Sequence, residues 1–143
     1  VEPDIVDVLI IKNCEFVLGN NSGLNMIAFL FNKPVLLHNY FPIGLKPIYE
    51  QGSYICQKYM KNDKIIPYSE IPKDLLLTES VSLLQSHNIT LKQNTNNEIL
   101  EFVKNQVNGN FQSVVRPNLK ELIYGGLSGF DSNWYKENSN LFN

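Results

Sequence analysis

The chain has 143 residues, 43% hydrophobic and 18% charged, which is enough for one real core and too little for two full domains. Twelve Lys+Arg against 14 Asp+Glu leave a net charge of -2, without the basic footprint of a nucleic-acid-binding protein. The two cysteines, Cys14 and Cys56, are too few for a disulfide framework and lie too far from a pair of histidines for zinc, so free thiols in a reducing cytosol and no metal are expected.

No signal-peptide pattern and no apolar run of bilayer length is present, so the chain itself is not expected to span a membrane. Val1 opens directly onto an apolar segment without a methionine, as expected of a piece of a longer protein. Residues 4–13 carry Ile5, Val8, Leu9 and Lys12 at helical spacing behind Pro3 and Asp4, although their β-branched content leaves a strand open. Residues 15–18 are short and apolar enough for a buried strand.

A polar loop follows, then Leu24, Ile27, Ala28 and Phe31 at i, i+3, i+4 and i+7, which predicts a helix. Met26, Phe29 and Leu30 make its other faces apolar too, so burial on more than one side is expected. Pro34 then opens a strand over 35–38 and completes a βαβ unit. Ser22 reads as the helix N-cap, and Gly23 allows close approach. The N–H groups of Gly23 and Leu24, with the positive end of the helix, would then face a ligand beyond the strand's carboxyl end. Asn20 and Asn21 flank that position. The loop matches neither GxxxxGK[ST] nor GxGxxG, and it also reads as a Ser-capped turn with no ligand.

Asn39-Tyr40-Phe41-Pro42-Ile43-Gly44 falls on the same rim, as a shaped loop able to hold a base or sugar or simply to cover the sheet end. His38 reads as a packed strand-end histidine rather than a catalytic one. Lys58 is the one cation placed near the rim, although it reads more readily as a solvated surface lysine. Residues 46–66 are the least legible, with 53–59 as strand or helical turn. A helix-opening pattern follows at 69–72, then a helix over 75–85 and a short strand over 89–93. Thr95 and Glu98 form a capping box ahead of the helix face Ile99, Phe102, Val103 and Gln106. Residues 108–113 read as a linker, Pro117 as the start of a short helix stopped at Gly125-Gly126, and 131–142 as an amphipathic helix whose Trp134, Tyr135, Leu141 and Phe142 need a partner surface.

Several features stand in order along nearly the whole chain. They are the Ser22-Gly23 helix start, the Lys33-Pro34-Val35-Leu36-Leu37 strand, the Asn39-x-x-Pro42 loop, Ser69-x-Glu-Ile71, Asn94-Thr95-x-x-Glu98-Ile99, and Tyr135-x-x-Asn138-x-x-Leu141. Together they resemble the carboxyl-terminal half of bacterial glycosyltransferases of surface-carbohydrate gene clusters, which have the GT-B fold. The resemblance implies an α/β, three-layer Rossmann-like domain with a mostly parallel sheet over 1–107, and a linker with helices over 108–143 packing back on an amino-terminal domain. It implies a nucleotide-sugar donor as substrate, with no cofactor, and a glycan or lipid-linked acceptor met through the amino-terminal domain. The implied location is the cytoplasm, at the inner membrane face for lipid-linked acceptors. By the same resemblance Asn20, Asn21, Ser22, Gly23 and Leu24 hold the donor diphosphate, and His38, Asn39, Tyr40, Phe41, Pro42 and Lys58 surround the base or sugar. Retaining members usually carry two glutamates along the helix region, whereas residues 25–32 hold no acid. An inverting in-line displacement is therefore implied, with the leaving diphosphate stabilised by the helix end and the base supplied elsewhere. The alternatives are a nucleotide-sugar epimerase of the same fold, disfavoured by the acid-free helix, and a non-catalytic module that docks through 134–142.

Overall fold

A computed structural model describes residues 3–45, 47, 51–115 and 129–142. The helix expected from Pro117 to Gly126 lies outside them. The chain begins α1 (Pro3–Asn13), β1 (Val17–Gly19), α2 (Asn25–Leu30), β2 (Val35–Tyr40) and β3 (Gly52–Cys56). It then passes into β4 (Lys58–Lys61), β5 (Lys64–Ile65), the short helices α3 (Lys73–Leu77) and α4 (Val81–Ser86), and β6 (Thr90–Lys92). Last come α5 (Asn96–Asn108), β7 (Val114–Val115), β8 (Gly129–Asp131) and α6 (Ser132–Glu137), followed by a 3-10 turn at Ser139–Phe142.

These elements make an α/β fold, compatible with a Rossmann-like one, around a five-stranded sheet of order β1-β2-β3-β8-β7. The first four strands are mutually parallel, and β7 closes the edge antiparallel to β8. Val35, Leu36, Leu37 and all of β3 are buried, the continuous burial expected of central parallel strands. Gly52, at φ 143, lets β3 lie against β2, because a Cβ there would collide with the carbonyl of Val35. A second, antiparallel sheet of order β5-β4-β6 grows directly from the end of β3 through Gln57.

Several expectations need correction. The residue preceding the first turn of α2 is Leu24 rather than Ser22, and no side chain caps it. The amides of Asn25, Met26 and Ile27 bond instead to the carbonyls of Ser22, Gly23 and Leu24, a tight three-residue entry that makes Ser22 a backbone acceptor. Helix α2 is not buried all round: Ala28 and Asn25 are, while Leu30 is 76% exposed. In α1 it is Ile11, not Ile5 or Leu9, that reaches the core. Strand β2 runs two residues beyond His38, through Asn39 in the left-handed region at φ 51 and a register shift against β3. The helix expected over 75–85 is two helices, interrupted where Ser80 caps α4 by accepting from the Leu83 amide.

The carboxyl-terminal aromatic residues find their surface within this domain. Phe130 of β8 stacks on Trp134 at 5.9 Å and 11°, and meets Tyr54 at 4.6 Å and Phe142 at 5.1 Å. Trp134 is 3% exposed, and Leu141 is buried beside it in the same core. Asp131 holds the turn into α6: one carboxylate oxygen accepts from the amides of Asn133 and Trp134, and the other from the side chains of Asn105 and Gln106. Residues 114–115 and 129–142 thus supply two strands of the main sheet and part of its core. Among the described residues no helix is long and apolar enough to cross a membrane.

Trp134→Ala separates a core role from a docking role. We expect it to destabilise the chain by about 3–5 kcal/mol in urea denaturation, as for a buried aromatic deleted from a core. A residue kept free for a partner would cost almost nothing.

Candidate functional site

Three neighbouring parallel strands end side by side, and the residues at or just beyond their carboxyl ends surround an open cavity of about 340 Å3. Asn20 and Asn21 come from the end of β1, Asn39 and Phe41 from β2, and Gln57 from β3. The opposite wall is Glu79, in the turn between α3 and α4, and Gln93, just after β6. The parallel strands follow one another without a reversal of order, so this is no switch point of a doubly wound sheet. Instead the crevice lies where the small sheet and the Glu79 turn stand opposite the strand ends.

Asn39 and Asn94 fix that arrangement. The Asn39 amide donates to Asn94 Oδ1 at 2.7 Å, and the Asn94 amide donates to Asn39 Oδ1 at 2.6 Å. Asn94 Nδ2 then donates to the carbonyl of Cys56 at 2.9 Å, so one side chain joins the ends of β2 and β3 to the start of α5. Gln57 adds two bonds to β2: its amide donates to the Tyr40 carbonyl at 3.1 Å and its Nε2 to the Asn39 carbonyl at 3.2 Å. The left-handed backbone at Asn39 is what turns its own amide and carboxamide toward Asn94, and asparagine tolerates that conformation better than most residues.

With Asn39 Oδ1 taken by Asn94, its Nδ2 faces His38 Nδ1 at 3.0 Å. That contact makes Nδ1 an acceptor and puts the ring proton on Nε2. Burial lowers the pKa of His38, and a donor facing Nδ1 acts in the same direction. His38 is therefore a neutral histidine at the strand end and does not line the cavity. Neither Tyr40 nor Pro42 lines it: both are buried, with Tyr40 against Tyr54 at 5.0 Å. Phe41 does, beside Tyr59 at 6.2 Å.

Lys58 points elsewhere. Its Nζ bonds Glu98 Oε1 at 2.7 Å, while Glu98 Oε2 accepts from the amide of Thr95 at 2.7 Å and Thr95 Oγ1 accepts from the Glu98 amide at 3.2 Å. The expected capping box is complete, and Lys58 serves as its counter-ion rather than as a rim cation. Burial alone would raise the pKa of Glu98. Hydrogen bonds from Lys58 and Thr95, with the lysine's charge, outweigh that and leave it lowered.

Ser22, Gly23 and Leu24 stand outside the cavity lining. Ser22 and Leu24 are exposed, and a Cβ on Gly23 would meet nothing within 4 Å. Among the described residues no backbone hydrogen bond engages the N–H of Gly23 or Leu24. The loop's shape comes from Asn25, whose buried Nδ2 bonds the carbonyl of Asn20.

Sequence reading missed Gln57, Glu79, Gln93 and Asn94. Asn94 had one visible signal, its place directly before the capping-box threonine, but its partner lies 55 positions away. Among the described residues no group of three or more His, Cys, Asp or Glu could hold a metal ion. Comparison with protein-family models, with curated proteins and with solved structures finds no match.

Two measurements test this geometry. Asn39→Ala removes the acceptor of the Asn94 amide and the donor to His38 Nδ1 and puts an alanine at positive φ, so about 3 kcal/mol of destabilisation is expected. Asn39→Gly relieves only the backbone part and should recover about 1 kcal/mol, read from urea midpoints. For Glu98 the folded pKa is the lower one, so its contribution is present above the unfolded value of about 4.3 and fades as pH falls through the folded value. Wild type and Glu98→Gln should therefore differ in stability at neutral pH and converge only once the pH has fallen through the folded pKa of Glu98.

Proposed function

We propose that this chain is the nucleotide-sugar-binding half of an inverting glycosyltransferase of the GT-B kind, acting in surface polysaccharide or glycan synthesis. The observation that carries the reading is the crevice at the carboxyl ends of three adjacent parallel strands, where Asn20, Asn21, Asn39 and Phe41 converge as expected of a donor site. The Gly23 and Leu24 amides, unengaged by other backbone groups among the described residues, take the diphosphate. Hydrogen bonding there stabilises the charge that develops on the departing diphosphate as the acceptor hydroxyl attacks the anomeric carbon in line.

No carboxylate stands among residues 20–32 to form a covalent intermediate, which favours a single displacement. His38, neutral and hydrogen-bonded at Nδ1, is a structural residue in this reading. The general base belongs to another domain, and the donor half alone binds without transferring.

Titrating the 15N-labelled chain with UDP, GDP, ADP and CMP tests this. At least one nucleoside diphosphate should shift the backbone amides of Gly23 and Leu24, with CMP weaker for want of a second phosphate. Silence of residues 21–24 toward all four would refute the donor assignment.

A further inference from the structure

We propose that the strand-end cavity receives a neutral sugar ring, with Glu79 and Gln93 binding its hydroxyls and the Glu79 carboxylate turning anionic sugars away. The identity of the complete ligand as a nucleotide-sugar rests on the reading above, whereas the chemistry of the cavity stands on its own walls.

Among the described residues those walls carry five carboxamides, one carboxylate and one aromatic ring, with no lysine, arginine or histidine. Several of the polar groups are already engaged. Asn39 is bonded at both ends of its carboxamide, Asn21 Nδ2 lies 3.5 Å from the Phe41 carbonyl, and Gln57 Nε2 is held by Asn39. Asn20, Glu79 and Gln93 have no side-chain partner among the described residues, and Gln57 keeps its Oε1. What the cavity offers a ligand is therefore two carboxamides, the side-chain carbonyl oxygens of Asn21 and Gln57, a carboxylate and the Phe41 ring. Carboxamides both donate and accept, a carboxylate accepts from hydroxyls, and an aromatic ring packs against the C–H face of a pyranose.

A phosphate or carboxylate group finds no compensating cation among the described lining residues. Lys58, which follows lining residue Gln57, is committed to Glu98 at 2.7 Å, and Glu79 has no ion-pair partner among the described residues. The net charge of the lining is that of one carboxylate, which repels an anion and accepts from a polyol. A volume of about 340 Å3 stands at the low end of small-molecule sites, suited to one sugar ring and not to a whole nucleotide-sugar. The diphosphate is thus left to the Gly23 and Leu24 amides outside the cavity, and the two parts of a donor meet walls of opposite character.

The test uses the whole 15N-labelled chain and follows the side-chain NH2 signals of Asn20 and Gln93 with the backbone amide of Glu79. The probes are the methyl glycosides of glucose, galactose, mannose and N-acetylglucosamine, with glucuronate, inorganic pyrophosphate and UDP as anions. At least one neutral glycoside should shift these signals. Glucuronate should bind at least about tenfold more weakly, and pyrophosphate should leave the signals in place. Glu79→Gln, at an exposed position, should keep the backbone spectrum, weaken the neutral glycoside about tenfold and not weaken glucuronate, the loss expected for one charge-assisted hydrogen bond. If no neutral glycoside moves these signals, if pyrophosphate moves them as strongly, or if Glu79→Gln leaves the preference unchanged, the proposal is overturned. Glycoside shifts with UDP silent at Gly23 and Leu24 would remove the donor reading and keep the sugar site. UDP binding without glycoside shifts would do the reverse.

Discussion

The reciprocal bonding of Asn39 and Asn94 is the constraint on which the strand-end geometry depends. Two backbone amides, each at a place where no ladder partner is available, are satisfied by each other's side chains, and the leftover Asn94 donor closes on β3. Without this exchange the register shift in β2 would leave buried polar groups unpaired, at roughly 1–3 kcal/mol each. With it, the ends of β2 and β3 and the start of α5 become one rigid unit. The second sheet is joined to that unit through Gln57, and Lys58 then reaches back to the cap of α5. The position of Gln93 opposite the strand ends, directly before Asn94, follows from these few bonds.

The candidate site divides by chemistry. On one side is a loop whose Gly23 and Leu24 amides have no backbone acceptor among the described residues, closed from beneath by buried Asn25. On the other is a cavity lined, among the described residues, by carboxamides, a single carboxylate and Phe41, with Lys58 held by Glu98. A charged group and a polyol would be sorted to different places by this arrangement, through the absence of a cation in the cavity as much as through any single contact.

Sequence reading went furthest where the signal is local. The Thr95–Glu98 box is a four-residue pattern whose partners are its own amides, and it formed as expected with the α5 face behind it. The apolar runs of β1 and β2 and the βαβ order were legible for the same reason. Asn39 and Phe41 could be assigned to the rim because a strand end fixes where its next residues fall. What stayed hidden depends on partners distant in the chain. Lys58 looked free until its strand was set beside β6, which brought it to Glu98. Trp134 looked unpartnered because its neighbour Phe130 lies on a strand set beside Tyr54 of β3, an adjacency no periodicity encodes. Ser22 was credited with a cap because serine before a helix so often is one, yet the tight turn at residues 22–27 satisfied those amides with carbonyls. In a chain so rich in asparagine, no composition argument could single out Asn94.

The material of the Asn39–Asn94 exchange sets its own long-term weakness. Carboxamides are indifferent to ionic strength and to acid, so neither should loosen the joint, but they hydrolyse slowly and are among the thermolabile side chains. Conversion of Asn94 to aspartate would replace the donor facing the Cys56 carbonyl with an anionic oxygen, setting two acceptors 2.9 Å apart in a buried position. Ageing at one nitrogen atom would then open the corner that keeps both sheets in place.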